Sequence, residues 1–200
     1  MPERTTDEAL LNKAGKGDQA AFLELYERYR DPIFRFAYRL LDSVEIAEDV
    51  THEVFLSLIR KPENFRAERA SLKTYLYAAA RNQALKHFRS QGRETGLDEL
   101  TEEPKDLQRR GPLRRLLDEE AAALVRDAVL SLPPLQREAL ILFEYEGLSL
   151  NEVAEIAGTD AGAVKARLYR AREGLRRMLR PYLESNQLNS GRDFVTLREA

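Results

Sequence analysis

At 200 residues, 43% hydrophobic and 33% charged with a formal net charge of −2, the chain suits one or two small domains with modest cores. Cysteine is absent, which excludes disulfides and thiolate metal sites. No apolar run approaches the ~20 residues that span a bilayer, and the charged start "MPERTTDEALL" lacks a signal peptide's apolar stretch. The expectation is a cytoplasmic chain with no membrane insertion. Catalytic groups are scarce as well. The two histidines, His52 and His87, are too far apart to read as a metal pair, no GxxxxGKS/T or GxGxxG loop occurs, and no carboxylates pair convincingly. No enzyme activity, cofactor or metal is expected.

Apolar residues recur at three and four, so the whole chain reads as helices and the fold class as all-α. A short segment at 7–14 runs into "GKGD", where Asp18 is a good N-cap. Phe22, Leu25, Tyr26, Tyr29, Ile33, Phe36, Ala37 and Leu40 then form one stripe, with Pro32 a point where that helix kinks or restarts. A second helix spans about 44–60. Ala47, Val50, Val54, Phe55 and Leu58 point inward, and Glu45, Glu48, Asp49 and Glu53 lie on its polar face. After the loop "KPENFRAERA", Ser71 caps a third helix, "LKTYLYAAARNQALKHFRSQ". Residues 93–116, with Gly and Pro breaks and an acidic first half, read as a flexible linker. A helix at 117–131 ends at "SLPP", Pro134 opens the next helix at 134–146, and Gly147 ends it.

The stretch from 149 has the spacing of a helix-turn-helix. Ser149 to Glu152 is an S-x-x-E capping box, Gly158 allows the tight turn, and Asp160 caps the second helix. Val164, Leu168, Ala171, Leu175 and Leu179 make its apolar stripe. The opposite face holds Gly162, Ala163, Ala166, Arg170 and Arg177, flanked by Arg167 and Tyr169. The segment "VKARLYRAREGLRRMLR" carries seven cations against the single acid Glu173. A basic helix is often only a solvated face. Here small residues precede arginines on one face, inside a capped helix-turn-helix, which points to DNA.

The segments "AFLELYERYRDPIFRFAYRLLDSVEIAEDVTHEVFLSLI", "SLKTYLYAAARNQALKHFR" and "LSLPPLQREALILFEYEGLSLNEVAEIAGTDAGAVKARLYRAREGLRRML" occur in that order. Together they resemble the extracytoplasmic-function (ECF) group of bacterial sigma factors. The resemblance implies region 2 over 7–92, the linker 93–116, region 4 over 117–181 and a C-terminal tail at 182–200. It implies a transcription initiation factor that binds core RNA polymerase through the beta-prime clamp helices and the beta flap, recognises promoter DNA, and is held inactive by an anti-sigma factor. Glu45, Glu48, Asp49, Glu53 and Phe55 correspond to the polymerase-docking helix, whose acidic ridge suits a basic partner. Asn64, Phe65, Tyr75, Tyr77, Arg81, Asn82, Lys86 and Arg89 correspond to the minus-ten element, where aromatics and Asn trap an unpaired base and cations meet phosphates. Tyr75 is helically spaced with Leu72 and Leu76 and fits core packing equally well. Asp160, Gly162, Ala163, Lys165, Ala166, Arg167, Arg170 and Arg177 correspond to the minus-thirty-five reader. Departures from the family pattern are His52 for Gln, Lys86 for Asp, and Ala163 and Ala166 for Thr and Ser.

The competing reading is a helix-turn-helix repressor or activator that works without polymerase. Such a protein needs a dimer seam or ligand pocket in its first domain rather than an acidic ridge. Pro181 is expected to end the basic helix, leaving "NQLNSG" flexible. Opposite charge on the two domains further predicts weak, salt-dependent closure of the acidic ridge on the basic helix, and the linker's acidic half is expected to run through polymerase's positive channel.

Overall fold

A computed structural model describes residues 5–90 and 114–195, with side chains over 5–88 and 121–184. All regular structure among them is helical. The first bundle contains α1 (Asp7–Gly15), α2 (Gln19–Leu41), α3 (Val44–Arg60), a 3-10 turn at Pro62–Asn64 and α4 (Leu72–Ser90). The second contains α5 (Arg114–Leu130), α6 (Pro134–Leu140), a π turn at Ile141–Tyr145, α7 (Leu150–Ala157) and α8 (Ala161–Val195).

Side-chain caps start most of these helices. Asp18 accepts hydrogen bonds from Ala20 N at 3.0 Å and Ala21 N at 3.1 Å, Ser43 accepts from Ile46 N at 3.3 Å, and Ser71 accepts from Thr74 N at 3.1 Å. Each satisfies amide donors that the first helical turn leaves without an intrahelical partner. Asp7 ties α1 onto α2, pairing with Arg28 and accepting from the Tyr29 hydroxyl. Burial, followed by that bond to Asp7, pushes the Tyr29 phenol up.

Pro32 lies inside an uninterrupted α2. It lacks the amide hydrogen that would close one turn, a loss of about 3 kcal/mol in a helix interior. Ile33, Phe36, Ala37 and Leu40, which follow it, are all essentially inaccessible to solvent. Burial of about 1.5–3 kcal/mol for each large side chain outweighs the missing bond. Pro181 also lies inside its helix: α8 continues through it, so the expectation that it ends the basic helix is corrected. Arg180 Nε donates to Glu184 Oε1 at 2.7 Å, an i,i+4 pair across the proline. The helix expected at 134–146 likewise divides into α6 and the π turn, and α5 begins at Arg114, inside the stretch read as linker. The acidic half of that linker lies outside the described residues.

In the first bundle α2 packs on α1, α3 and α4, and α3 also packs on α4. In the second, α8 packs on α5, α6 and α7. The two bundles also pack on each other, α4 against α7 and α2 against α6 and the π turn. One continuous core runs from Leu25, Phe36 and Leu76 to Leu142, Val153 and Leu168. The closure expected from opposite charge is therefore present, but not through the expected faces. Glu48, Asp49 and Glu53 on α3 and Arg170 and Arg177 on α8 all remain exposed.

Ser149 and Glu152 form the full capping box of α7: Ser149 Oγ accepts from Glu152 N at 3.3 Å, and Ser149 N donates to Glu152 Oε2 at 2.8 Å. The Ser149 hydroxyl, and then its backbone amide, hold the Glu152 carboxyl below its ordinary 4.5. A carboxyl depressed by folding stabilises the fold fully above its unfolded value and loses that contribution as pH falls through the folded one. Ser149→Ala should lower stability by about 1 kcal/mol near neutral pH. In urea unfolding, the gap between parent and variant should shrink as pH drops from about 6 to about 3. A gap that is constant with pH would mean that the carboxylate is not part of the cap.

Candidate nucleic-acid interface

The helix-turn-helix is α7 and α8. Gly158, at φ 63° and ψ 42°, closes α7 in the left-handed region, where a Cβ would be strained. Asp160 caps α8 by accepting from Ala163 N at 2.9 Å. A Cβ at Gly162 would stand 2.9 Å from Asp160 Oδ1, so glycine leaves the capping carboxylate its place. Val164, Leu168 and Ala171 are buried against the rest of the bundle.

The seven cations of the segment 164–180 divide by environment. Arg172 pairs with Glu144 and lies 5.7 Å from the Phe143 ring centre, while Arg176 and Arg180 pair with Glu173 and Glu184. Lys165, Arg170 and Arg177 are exposed and make no ion pair among the described residues. Arg170 and Arg177 stand seven residues apart, two turns along one face, with exposed Gly162 and Ala166 and half-buried Ala163 towards the N-terminal end. Arg167 differs from the expectation of a free flanking cation. It is half-buried, its Nη1 is enclosed with no hydrogen-bond partner, and it acts electrostatically on Glu138. One residue beyond it, Leu168 is core.

In the first bundle, the 3-10 turn and the start of α4 form a cavity of about 290 Å³, lined by Glu63, Asn64, Phe65, Arg66, Arg69, Ala70 and Tyr75. Phe65 and Tyr75 meet edge-on, ring centres 5.6 Å apart at 68°. Burial, and then the nearby Glu63 carboxylate, push the Tyr75 phenol up. Two rings, an amide and two guanidinium groups thus converge on one open pocket, chemistry suited to a planar, anionic-backboned ligand. Asn82 and Lys86 lie exposed farther along α4, Lys86 bonded to Gln83 at 2.9 Å; the side chain of Arg89 lies outside the described residues.

Two other minus-ten candidates on α4 face elsewhere. Tyr77 is 1% exposed, edge-on to Phe36, and donates its hydroxyl to Glu146 Oε2 at 2.7 Å. Burial, followed by that bond, pushes its phenol up. In this arrangement Tyr77 is a core residue and has no face on which to stack a base, which corrects the expectation. Arg81 Nε donates to Glu138 Oε1 at 2.9 Å and so lies in the joint between bundles. Neither position was legible locally, because both partners come from the second bundle.

On α3, Glu45, Glu48, Asp49 and Glu53 are exposed and unpaired among the described residues. Phe55, which the resemblance sets with the docking residues, is buried at 2% exposure as its inward position in the helical pattern implies, its ring 4.9 Å from Tyr26 and 6.4 Å from Phe22. It positions the ridge from below rather than touching a partner. Sequence periodicity missed the apolar knobs beside the ridge: Leu56 is 40% exposed and Ile59 48%, with Leu23 of α2 at 53%. Their signal was an apolar stripe on α3 wider than a single buried face requires. Among the described residues, no group of His, Cys, Asp or Glu could hold a metal ion, and no helix is long and apolar enough to cross a membrane.

Residues 25–94 match the sigma-70 region 2 family and residues 122–175 match sigma-70 region 4. The chain is 33% identical to the RNA polymerase sigma-H factor of Pseudomonas aeruginosa, over 92% of this chain and 98% of the relative. It is 32% identical to the ECF RNA polymerase sigma-E factor of Escherichia coli, over 92% and 99%. Among solved structures, CnrH in complex with the cytosolic domain of CnrY shares the fold, with TM-score 0.65 and 23% identity over 88% of this chain and 97% of that one. The sigma factor RpoE of Bartonella quintana, in complex with the anti-sigma factor NepR, superposes with TM-score 0.59 and 26% identity over 80% and 96%. The chain belongs to the extracytoplasmic-function group of the sigma-70 family, and is a transcription initiation factor rather than an enzyme or a free-standing repressor.

Proposed function

We propose that α3 docks on core RNA polymerase, that the pocket between the 3-10 turn and α4 receives an unpaired minus-ten base, and that α8 reads the minus-thirty-five element. The observation that carries this reading is the ridge of Glu45, Glu48, Asp49 and Glu53, charged, exposed and without a cation among the described residues. A dimeric repressor has no use for such a ridge, whereas a basic coiled coil such as the beta-prime clamp helices complements it, with Leu56 and Ile59 supplying apolar contact. Region 4 adds a second hold, on the beta flap. Asn64, Phe65 and Tyr75 have the chemistry to hold a flipped base by an edge hydrogen bond and stacking. The structure of the sigma factor RpoE with the anti-sigma factor NepR supports an anti-sigma partner here, and with polymerase as its partner the protein works in the cytoplasm. The test is reconstitution. Core polymerase supplied with this chain should give discrete transcript starts on genomic DNA that core alone does not; starts that do not change with the chain would overturn the reading.

Arg170 is the candidate base contact. Arg170→Ala should weaken binding of the reconstituted holoenzyme to its own promoter by about 1–3 kcal/mol if the guanidinium is bidentate to a guanine, read by titration against a promoter altered at single minus-thirty-five positions. An equal loss on every sequence would make Arg170 a phosphate contact.

A further inference from the structure

The joint between the bundles is built around two carboxylates of the second bundle, and both reach cations of the first. Glu138, on α6, is 2% exposed and accepts from Arg81 Nε at 2.9 Å, itself only 15% exposed. Arg167 of α8 is half-buried with its Nη1 enclosed, and its charge acts on the same carboxylate without a hydrogen bond to it. Glu146 follows the π turn and is 6% exposed. Its Oε1 accepts from Arg39 Nη1 at 2.9 Å, and its Oε2 from the Tyr77 hydroxyl at 2.7 Å. The guanidinium of Arg39 also lies 4.8 Å from the Tyr145 ring centre. The π turn aims these groups: Glu144 turns back to Arg172 within the second bundle, while Tyr145 and Glu146 turn outward to the first.

A permanent core has no need of such groups. Desolvating an ion pair offsets most of its attraction, and apolar residues of similar volume often hold a fold at least as well. Buried pairs do fix one geometry, and on separation each charge regains water. A joint made this way is specific when closed and tolerable when open. The identity of the cations gives it a purpose. Arg81 lies on the helix proposed to meet the minus-ten strand, and Arg167 on the helix proposed to read duplex DNA. A guanidinium held by a carboxylate is not available to a phosphate.

We propose that Glu138 and Glu146 are the catches of an intramolecular latch, Glu138 standing in for nucleic-acid phosphate on Arg81 while the same closure encloses Arg167, so that the closed chain withholds both arginines from DNA. The withholding rests on the proposed DNA faces; the latch itself does not. Because the catches are buried, bulk salt screens them weakly, unlike a closure between exposed acidic and basic faces. The charge of DNA itself competes for the same arginines, so binding and opening are one equilibrium.

The chain has no cysteine, so Glu27→Cys and Glu155→Cys, both at exposed positions in different bundles, accept a donor and acceptor dye cleanly. Energy transfer should be high in the parent chain. It should fall in Glu138→Gln/Glu146→Gln, and partly in Arg39→Gln, which loosens one catch from its half-exposed side. Affinity for a short random-sequence duplex should rise at least about fivefold in the double variant, the order expected when two cations are freed for phosphate. It should rise much less in Glu8→Gln/Asp31→Asn, which removes the same charge from exposed positions away from the joint. Transfer that is unchanged in both latch variants while helix content is native would overturn the latch. Should the double variant not fold, Arg39→Gln alone decides this. Transfer that falls while affinity rises no more than in the control would overturn the withholding. If no form binds duplex, the DNA reading of α8 and the withholding fall together, while transfer still decides the latch.

Discussion

Reversing charge at Asp49 and Glu53 together, as Asp49→Lys/Glu53→Lys, should reduce association with core polymerase by at least about tenfold, on the scale of close complementary charges at interfaces. Both side chains are exposed and unpaired among the described residues, so nothing inside the bundle depends on them. Residues at 49 and 53 are four apart and share one helical face, so the two changes turn the centre of the ridge from attractive to repulsive. Like charges against a basic coiled coil both slow encounter and destabilise the docked state. Co-purification of the full chain with polymerase measures the loss, and circular dichroism should register unchanged helix content. Undiminished co-purification would remove α3 as the docking element.

Phe36→Ala should be the most damaging single change to the fold, with a loss of about 3–5 kcal/mol. Phe36 is completely buried, and its ring meets Tyr77 edge-on at 5.4 Å and 79°. Truncation leaves a cavity at the centre of the first bundle, where helices from two sides limit collapse. It also removes the ring that positions Tyr77, whose hydroxyl holds Glu146. Small domains are stable by only about 5–15 kcal/mol, so the change removes a large fraction of the total. Urea unfolding followed by circular dichroism gives the value. A loss below about 1 kcal/mol would mean that the ring occupies a site able to refill, contrary to close packing.

Helix starts and turns were legible because their causes are local. Asp18, Ser71, Ser149 and Asp160 each reach an amide two or three residues ahead. Gly158 takes a backbone conformation that needs no distant contact. The acidic face of α3 and the outward arginines of α8 were legible for the same reason, since helical periodicity alone separates a polar face from a buried one. Ordered motifs along the chain then carried the family, and with it the function.

Tertiary structure decided the fate of side chains at the edges of those faces. Arg167 and Arg170 are three residues apart on one helix, yet the first is half-buried with its Nη1 enclosed and the second is exposed. Glu138 stands among buried Leu135, Ala139 and Leu140, a charge on an apolar face whose partner no local pattern names, since Arg81 is 57 positions away. Arg39 and Glu146 are 107 apart. Pro32 and Pro181 read as breaks because their missing amide is a local loss, yet α2 and α8 continue through them, and at Pro32 it is the buried neighbours Ile33, Phe36, Ala37 and Leu40 that carry the helix on. Sequence by itself determined which segments are helices, how they begin, and which broad faces are acidic, basic or apolar, because hydrogen bonding and periodicity act over a few residues. The contact of one bundle with the other, and therefore which arginines face solvent, was decided only by the tertiary structure, because burial and ion pairing depend on the distance between groups in space rather than along the chain.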